Sequence, residues 1–217
     1  MFPSSAKKQH PLSIRIWHWL NAATILGILG TVLLRKTFLS WRTNGPLIEA
    51  KVTELGGAIT PDAANAVAKL LRDQMWSWHY TFGYALLGLF LLRIVLAMRH
   101  SDQNPVRSTI NEFRRYLALA KGERQNGVHK LAVRALYLLF YFSTGFMILS
   151  GFSLYFDDSL GLAKDTTEVI KELHEWFMWF FVVFLTTHVG GVVVAELRGE
   201  RGIVSDMIHG GKPIDGA

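Results

Sequence analysis

The sequence predicts an all-α membrane protein, a four-transmembrane-helix up-and-down bundle with short amphipathic surface helices in its loops. Three observations predict it. Four apolar runs are each long enough to cross a hydrocarbon core of about 30 Å. Half of the 217 residues are apolar and the mean hydropathy is +0.23, too hydrophobic for an ordinary soluble domain of this size. Tryptophans gather at the ends of the runs, where amphipathic rings favour the membrane–water interface. Residues 1–217 read as a single integral-membrane domain with no repeat and no low-complexity tract.

The first span, residues 14–34, follows a short basic arm. Lys7 and Lys8 before an apolar run imitate a signal peptide, but the run is too long and no small-residue cleavage pattern follows, so it is expected to stay as a helix. Trp17 and Trp19 mark its first interface, and Arg15 and His18, three apart, share a face. Gly27 and Gly30 leave room for close packing against the backbone. Residues 35–78 are a long polar connection. In it Thr60-Pro61-Asp62 reads as an N-cap, a first-position proline and a first-turn acid. A stripe of Ala63, Val67, Leu70 and Gln74 or Met75 then suggests a short surface helix.

The second span, residues 80–98, is introduced by Trp76, Trp78 and His79; Gly83 lies one turn beyond His79 on the same side. Arg93, near the far end, must snorkel or meet an anion. In the basic stretch 99–132, Ile110, Phe113, Leu117 and Ala120 suggest a second surface helix closed by Gly122. The third span, residues 133–152, carries Arg134 and Tyr137 near its start. An acidic connection, 153–173, leads to the fourth span, residues 176–195.

Net charge +6 and a pI near 9.7 could suggest a nucleic-acid partner. The basic residues, however, are separated by apolar runs and form no continuous stripe, so a cytoplasmic membrane face explains them better. Lys and Arg are more numerous on the side of the arm, the 99–132 loop and the tail, which predicts cytoplasmic termini in the bacterial inner membrane. Arg35 and Lys36 run against that orientation.

The absence of cysteine excludes disulfides, cysteine-ligated zinc, iron–sulfur clusters and covalently attached c-type haem. Metal chemistry therefore falls to the histidines. His174 and His188 close the two ends of one aromatic-rich helix; fourteen residues turn it nearly four times, so both imidazoles share a face about 21 Å apart. An interfacial histidine and a hydrogen-bonded core histidine are the plainer alternative. Connectivity, however, gives each a counterpart: His18 with His188 as an inner pair, and His79 with His174 as an outer pair. His188 lies about two turns deeper than His18, so the inner pair requires a tilted helix or ligand. Pairs of neutral imidazoles on facing helices suit two b-type haems with bis-histidine ligation. Arg15, Arg93 and Arg134 fall at the inner end, within reach of the propionates, and Gly83 offers space beside a flat ring. Clustered histidine–carboxylate boxes for di-iron and three- or four-ligand zinc sites are missing. His10 and His209 read as solvated, His100 as interfacial, and His129 as a candidate contact to a propionate or a quinone.

Arg15-Ile-Trp-His-Trp19, His79 with Gly83, Arg134 with Tyr137, and His174 with His188 resemble the bacterial cytochrome b561 superfamily. The likeness runs closest to the b-type cytochrome subunits of membrane-bound nickel–iron hydrogenases and covers residues 12–211. It implies a four-helix membrane bundle holding haem b, with ligands at His18, His79, His174 and His188, and electron exchange with the quinone pool or a peripheral redox partner. The expected function is transmembrane electron transfer. Electrons enter from a periplasmic redox protein, a hydrogenase small subunit or a cytochrome, near Trp76, Trp78, Trp176 and Trp179. They leave to quinone near Arg15, Arg134 and His129. No catalytic residue is expected, since bis-imidazole ligation leaves no open iron position. A stand-alone quinone-linked oxidoreductase, such as a superoxide oxidase, and a haem-free four-span structural or transport protein are the alternatives. Membrane lipid is an expected partner, nucleic acid is not, and a homodimer is left open.

Overall fold

The computed structural model describes residues 11–99, 105–118, 124–197 and 207–208. Among them are seven helices and no strand: α1 Leu12–Lys36, α2 Trp41–Glu54, α3 Pro61–Arg99, α4 Pro105–Ala118, α5 Arg124–Tyr155, α6 Asp157–Leu160 and α7 Lys164–Leu197. α1, α3, residues Leu131–Tyr155 of α5, and α7 are long and apolar enough to cross a membrane. These four contain the four spans expected from the sequence.

The helices run further than the spans. The short surface helix expected after Thr60 is the first part of α3, which continues without a break for 39 residues, about 58 Å. Its start is as expected: the Ala63 amide donates to Thr60 Oγ1 at 3.2 Å, with Pro61 at the first helical position. Nothing afterwards stops it, because no proline follows Pro61 within the helix. In the same way the acidic connection before the fourth span is α6 and the first turns of α7, where Asp157, Asp158 and Asp165 occupy favourable N-terminal positions. α2 was not expected at all. Its Asn44-Gly45-Pro46 reads as a turn, yet the helix continues through it, with Ser40 O accepting from the Thr43 and Asn44 amides. Just past the end of α2, Gly56 takes a φ of +79°, a left-handed conformation that glycine adopts without strain.

The chain divides into two compact units, Leu20–Gly88 and Met1–Trp19 with Leu89–Ala217. In the first, Gly27 lies against the Phe82 ring, and Gly45 against Asn65 where a Cβ would not fit. In the second, α5 packs on α4, α6 and α7. Phe146 meets Phe177 with ring centroids 4.4 Å apart, and Phe140 meets Phe181 at 5.8 Å. The stripe expected on α4, Ile110, Phe113 and Leu117, remains exposed, as suits a helix on a membrane surface. The expected close at Ala120 and Gly122 lies outside the described residues.

Polarity is inverted relative to a soluble protein. Asn21, Thr24, Thr31, Ser143, Thr144 and Ser150 are buried, whereas Leu26, Leu33, Leu91, Leu149 and Val183 are exposed. Most of these hydroxyls donate to a carbonyl of the preceding turn: Thr24 to Leu20, Thr144 to Phe140, Ser150 to Phe146, each at 2.8 Å. Ser143 Oγ is the exception, buried without a hydrogen-bond partner among the described residues. Outward leucine and inward hydroxyls that are mostly satisfied are the arrangement that hydrocarbon solvent favours.

Candidate haem-ligand sites

The His18 and His188 rings, from α1 and α7, are brought together with centroids 6.3 Å apart. The depth difference expected from the sequence does not keep them apart. Metal–imidazole bonds of about 2.0 Å on opposite sides of one ion would put ring centroids roughly 6 Å apart, so the spacing fits an intervening metal. One turn before His188, the Phe184 ring lies parallel to the imidazole, at 5.8 Å and 4°. Phe140 of α5 backs Phe184 at 4.7 Å. Trp19 meets the His18 ring edge-on at 5.2 Å. Among the described residues no group of three or more His, Cys, Asp or Glu is gathered for a metal ion.

The three arginines expected near this end have different surroundings. Arg93 donates from Nε to the Tyr141 hydroxyl at 3.0 Å, and its guanidinium lies over the rings of Trp17 and Tyr141 at 5.6 and 5.7 Å. Trp17 is itself buried and donates from Nε1 to Leu89 O at 2.8 Å. Arg15 donates from Nη1 to Ile208 O at 2.7 Å, while its buried Nε has no hydrogen-bond partner among the described residues. A buried guanidinium nitrogen in that state suits a bound carboxylate. Arg134 reaches Ser108 on α4 at 3.4 Å. Tyr141 was missed from the sequence, which pointed to Tyr137, an exposed residue one turn earlier. No pattern within one helix could have identified Tyr141, because its partners are on α1 and α3.

His79 and His174 each have a hydroxyl partner. His79 Nδ1 is 3.0 Å from Thr31 Oγ1 within the first unit, and His174 Nδ1 is 2.8 Å from Ser150 Oγ within the second. Gly151 lets the His174 ring come close: a Cβ there would be 3.3 Å from Cε1. Beside His79, Trp76 meets its ring edge-on at 5.2 Å and carries the Arg35 guanidinium on its face at 4.3 Å. Arg35 also pairs with Asp73 at 3.4 Å. Asp73, on the part of α3 before the apolar span, is held below the usual carboxylate range by its hydrogen bond from Arg72 and the charges of Arg72 and Arg35. Among the described residues, and apart from its own helix backbone, nothing lies within 4 Å of a Cβ placed on Gly83, so the space expected beside it is open. Gly30, Gly190 and Gly191 are open in the same sense, whereas Gly27 is filled by Phe82. Thr31 and Ser150 carried no sequence signal beyond being hydroxyls in apolar runs. His10, His100, His209 and the side chain of His129 lie outside the described residues.

Comparison with known proteins accords with this arrangement. Residues 9–210 match the family model described as prokaryotic cytochrome b561. The chain is similar to the probable Ni/Fe-hydrogenase B-type cytochrome subunit of Cupriavidus necator, 27% identical over 91% of this chain and 83% of that protein. The proteins of the same name from Bradyrhizobium diazoefficiens and Azotobacter vinelandii are 28% and 26% identical, each over 91% of this chain and over 82% and 84% of their own lengths. No solved structure matches.

Proposed function

The chain belongs to the prokaryotic cytochrome b561 family, and from that premise we propose that it carries electrons across the bacterial inner membrane through two b-type haems. The observation that carries the reading is the 6.3 Å spacing of the His18 and His188 rings. It suits two imidazoles that hold one iron between them.

In this reading His18 and His188 hold the inner haem, and His79 and His174 the outer one. The outer pairing rests on the depths of the two residues in their spans. Haem b held by these histidines would supply a one-electron carrier. The chain's own residues bind, orient and tune it. Phe184, parallel to the His188 ring, fixes its plane. Arg15, with its buried Nε, would supply positive charge to a propionate. Arg93, held over Trp17 and Tyr141, adds a second fixed charge at the same end. The open side of Gly83 leaves space for a flat ring. On α7 fourteen residues separate His174 from His188, about 21 Å along the helix axis, and carriers held at the two positions would let electrons cross in short steps.

The names of the relatives support a hydrogenase as the periplasmic donor at the outer haem. Quinone is the proposed acceptor at the inner end, near Arg15, Arg134 and His129. The excess of Lys and Arg on the terminal side supports cytoplasmic termini. A reduced-minus-oxidised spectrum with haem quantitation on the purified chain tests the proposal. Two haems per chain are expected; none would overturn the function, and one would overturn the four-ligand assignment.

A further inference from the structure

We propose that Thr31 and Ser150 are positioning residues that fix His79 and His174 in the tautomer whose bare nitrogen is Nε2. The inference rests on the reading of both histidines as haem ligands and adds which ring nitrogen binds and what holds it there.

The argument is an inventory of protons. A hydroxyl has one proton to donate and two lone pairs to accept with. Thr31 Oγ1 lies 2.6 Å from Ile28 O, a carbonyl that can only accept, and 3.0 Å from His79 Nδ1. The single proton goes to the carbonyl, so the contact to His79 must be made by the Nδ1–H of the ring. Ser150 repeats the arrangement. Its Oγ lies 2.8 Å from Phe146 O and 3.3 Å from Met147 O, and 2.8 Å from His174 Nδ1. In both cases the lone pair is left on Nε2. The plainer reading, a hydroxyl that donates to the imidazole, would leave Ile28 O or Phe146 O without that proton and would protonate the nitrogen a metal needs.

Two further features fit the role. Both hydroxyls are on buried residues of the neighbouring helix, so neither can turn away to water. Both acceptors are neutral, which keeps the ring a neutral imidazole and makes it a weaker donor than one hydrogen-bonded to a carboxylate. An Nδ1–H hydrogen bond still adds basicity to the ligating nitrogen and favours the ferric iron.

The test uses the full chain, haem-loaded and in lipid nanodiscs, with Thr31→Val, Thr31→Ser and Ser150→Ala. Haem per chain and the two midpoint potentials are read by spectrophotometric redox titration. Thr31→Val and Ser150→Ala are expected to raise the potential of the same haem and spare the other. If the ferric form binds about tenfold more weakly relative to the ferrous, the rise is about 59 mV. Thr31→Ser, which keeps the hydroxyl, is expected to hold the original value. Unmoved potentials in both hydroxyl-free variants, or a shift in Thr31→Ser equal to that in Thr31→Val, would overturn the tautomer assignment. His79→Ala and His174→Ala serve as the separate control. If either keeps two haems per chain, the ligand reading itself fails. If each loses one while the hydroxyl variants do not shift, only the present inference fails. Thr31 and Ser150 are on different helices, so a folding defect in one variant leaves the other able to decide.

Discussion

His188 is seated between two rings that do different things: Phe184 lies parallel to it at 5.8 Å and 4°, while His18 stands off at 6.3 Å and 57°. Phe184 is a packing contact that fixes orientation. His18, from the other helix, stands at a spacing that suits a shared ion. His18→Ala and His188→Ala should therefore each remove one haem, the same one, and leave the other intact. Phe184→Ala should keep that haem but broaden its ferric electron paramagnetic resonance signal, because the imidazole plane is no longer fixed. Removal of different haems by the two histidine variants would break the pairing.

The outer pair makes a parallel prediction. His79→Ala and His174→Ala should each leave a single haem, and pyridine haemochrome quantitation should give one per chain for either variant and for the double variant. On the proposed pairing both histidines would act through one group, so the double variant should be no worse than the singles.

Arg93 lies within an apolar span, half-buried, and Tyr141 is its acceptor at 3.0 Å. Tyr141→Phe keeps the ring under the guanidinium but removes that acceptor, which should cost about 1–3 kcal/mol. Unfolding of the detergent-solubilised protein should start at a lower denaturant concentration. Tyr137→Phe, at an exposed position, should leave the midpoint where it is.

Most of the fold was legible because hydrocarbon imposes a simple demand. Every span must be a long apolar helix, and the four runs satisfied it. Helix ends outside the membrane were less legible. Hydropathy falls at Trp78 and at Leu173, but α3 and α7 continue past both, since polar helix formers such as Lys69, Arg72 and Glu172 sustain the backbone as well as apolar ones do. The histidines could be selected because they are conspicuous in apolar sequence. Tyr141, Thr31 and Ser150 could not, because their roles are contacts across helices rather than patterns along one.

Asp73 gives a pH signature with a definite sign. Its carboxyl is depressed below 3.8 in the folded chain by Arg72 and Arg35, so the stabilisation it contributes is present above 3.8 and is lost as pH falls through the folded value. Asp73→Asn should differ slightly from the parent protein at pH 7 and converge with it under acid conditions. The site is largely exposed, so the difference should also shrink with added salt.

Gly27 and Gly30 test where helix packing is tight. A Cβ at Gly27 would meet three atoms of the Phe82 ring at 2.9 to 3.0 Å, and a rigid aromatic ring cannot bend away as a lysine tip would. Gly27→Ala should therefore destabilise by about 1–3 kcal/mol through overpacking. At Gly30 nothing is within 4 Å, so Gly30→Ala should be neutral or gain about 0.5–1 kcal/mol from helix propensity. Phe82→Leu should relieve Gly27→Ala, making the double variant more stable than the sum of the two singles requires. Denaturant titrations of the four variants in one detergent measure all of these differences. Additive effects would mean that Phe82 is not what makes position 27 a glycine.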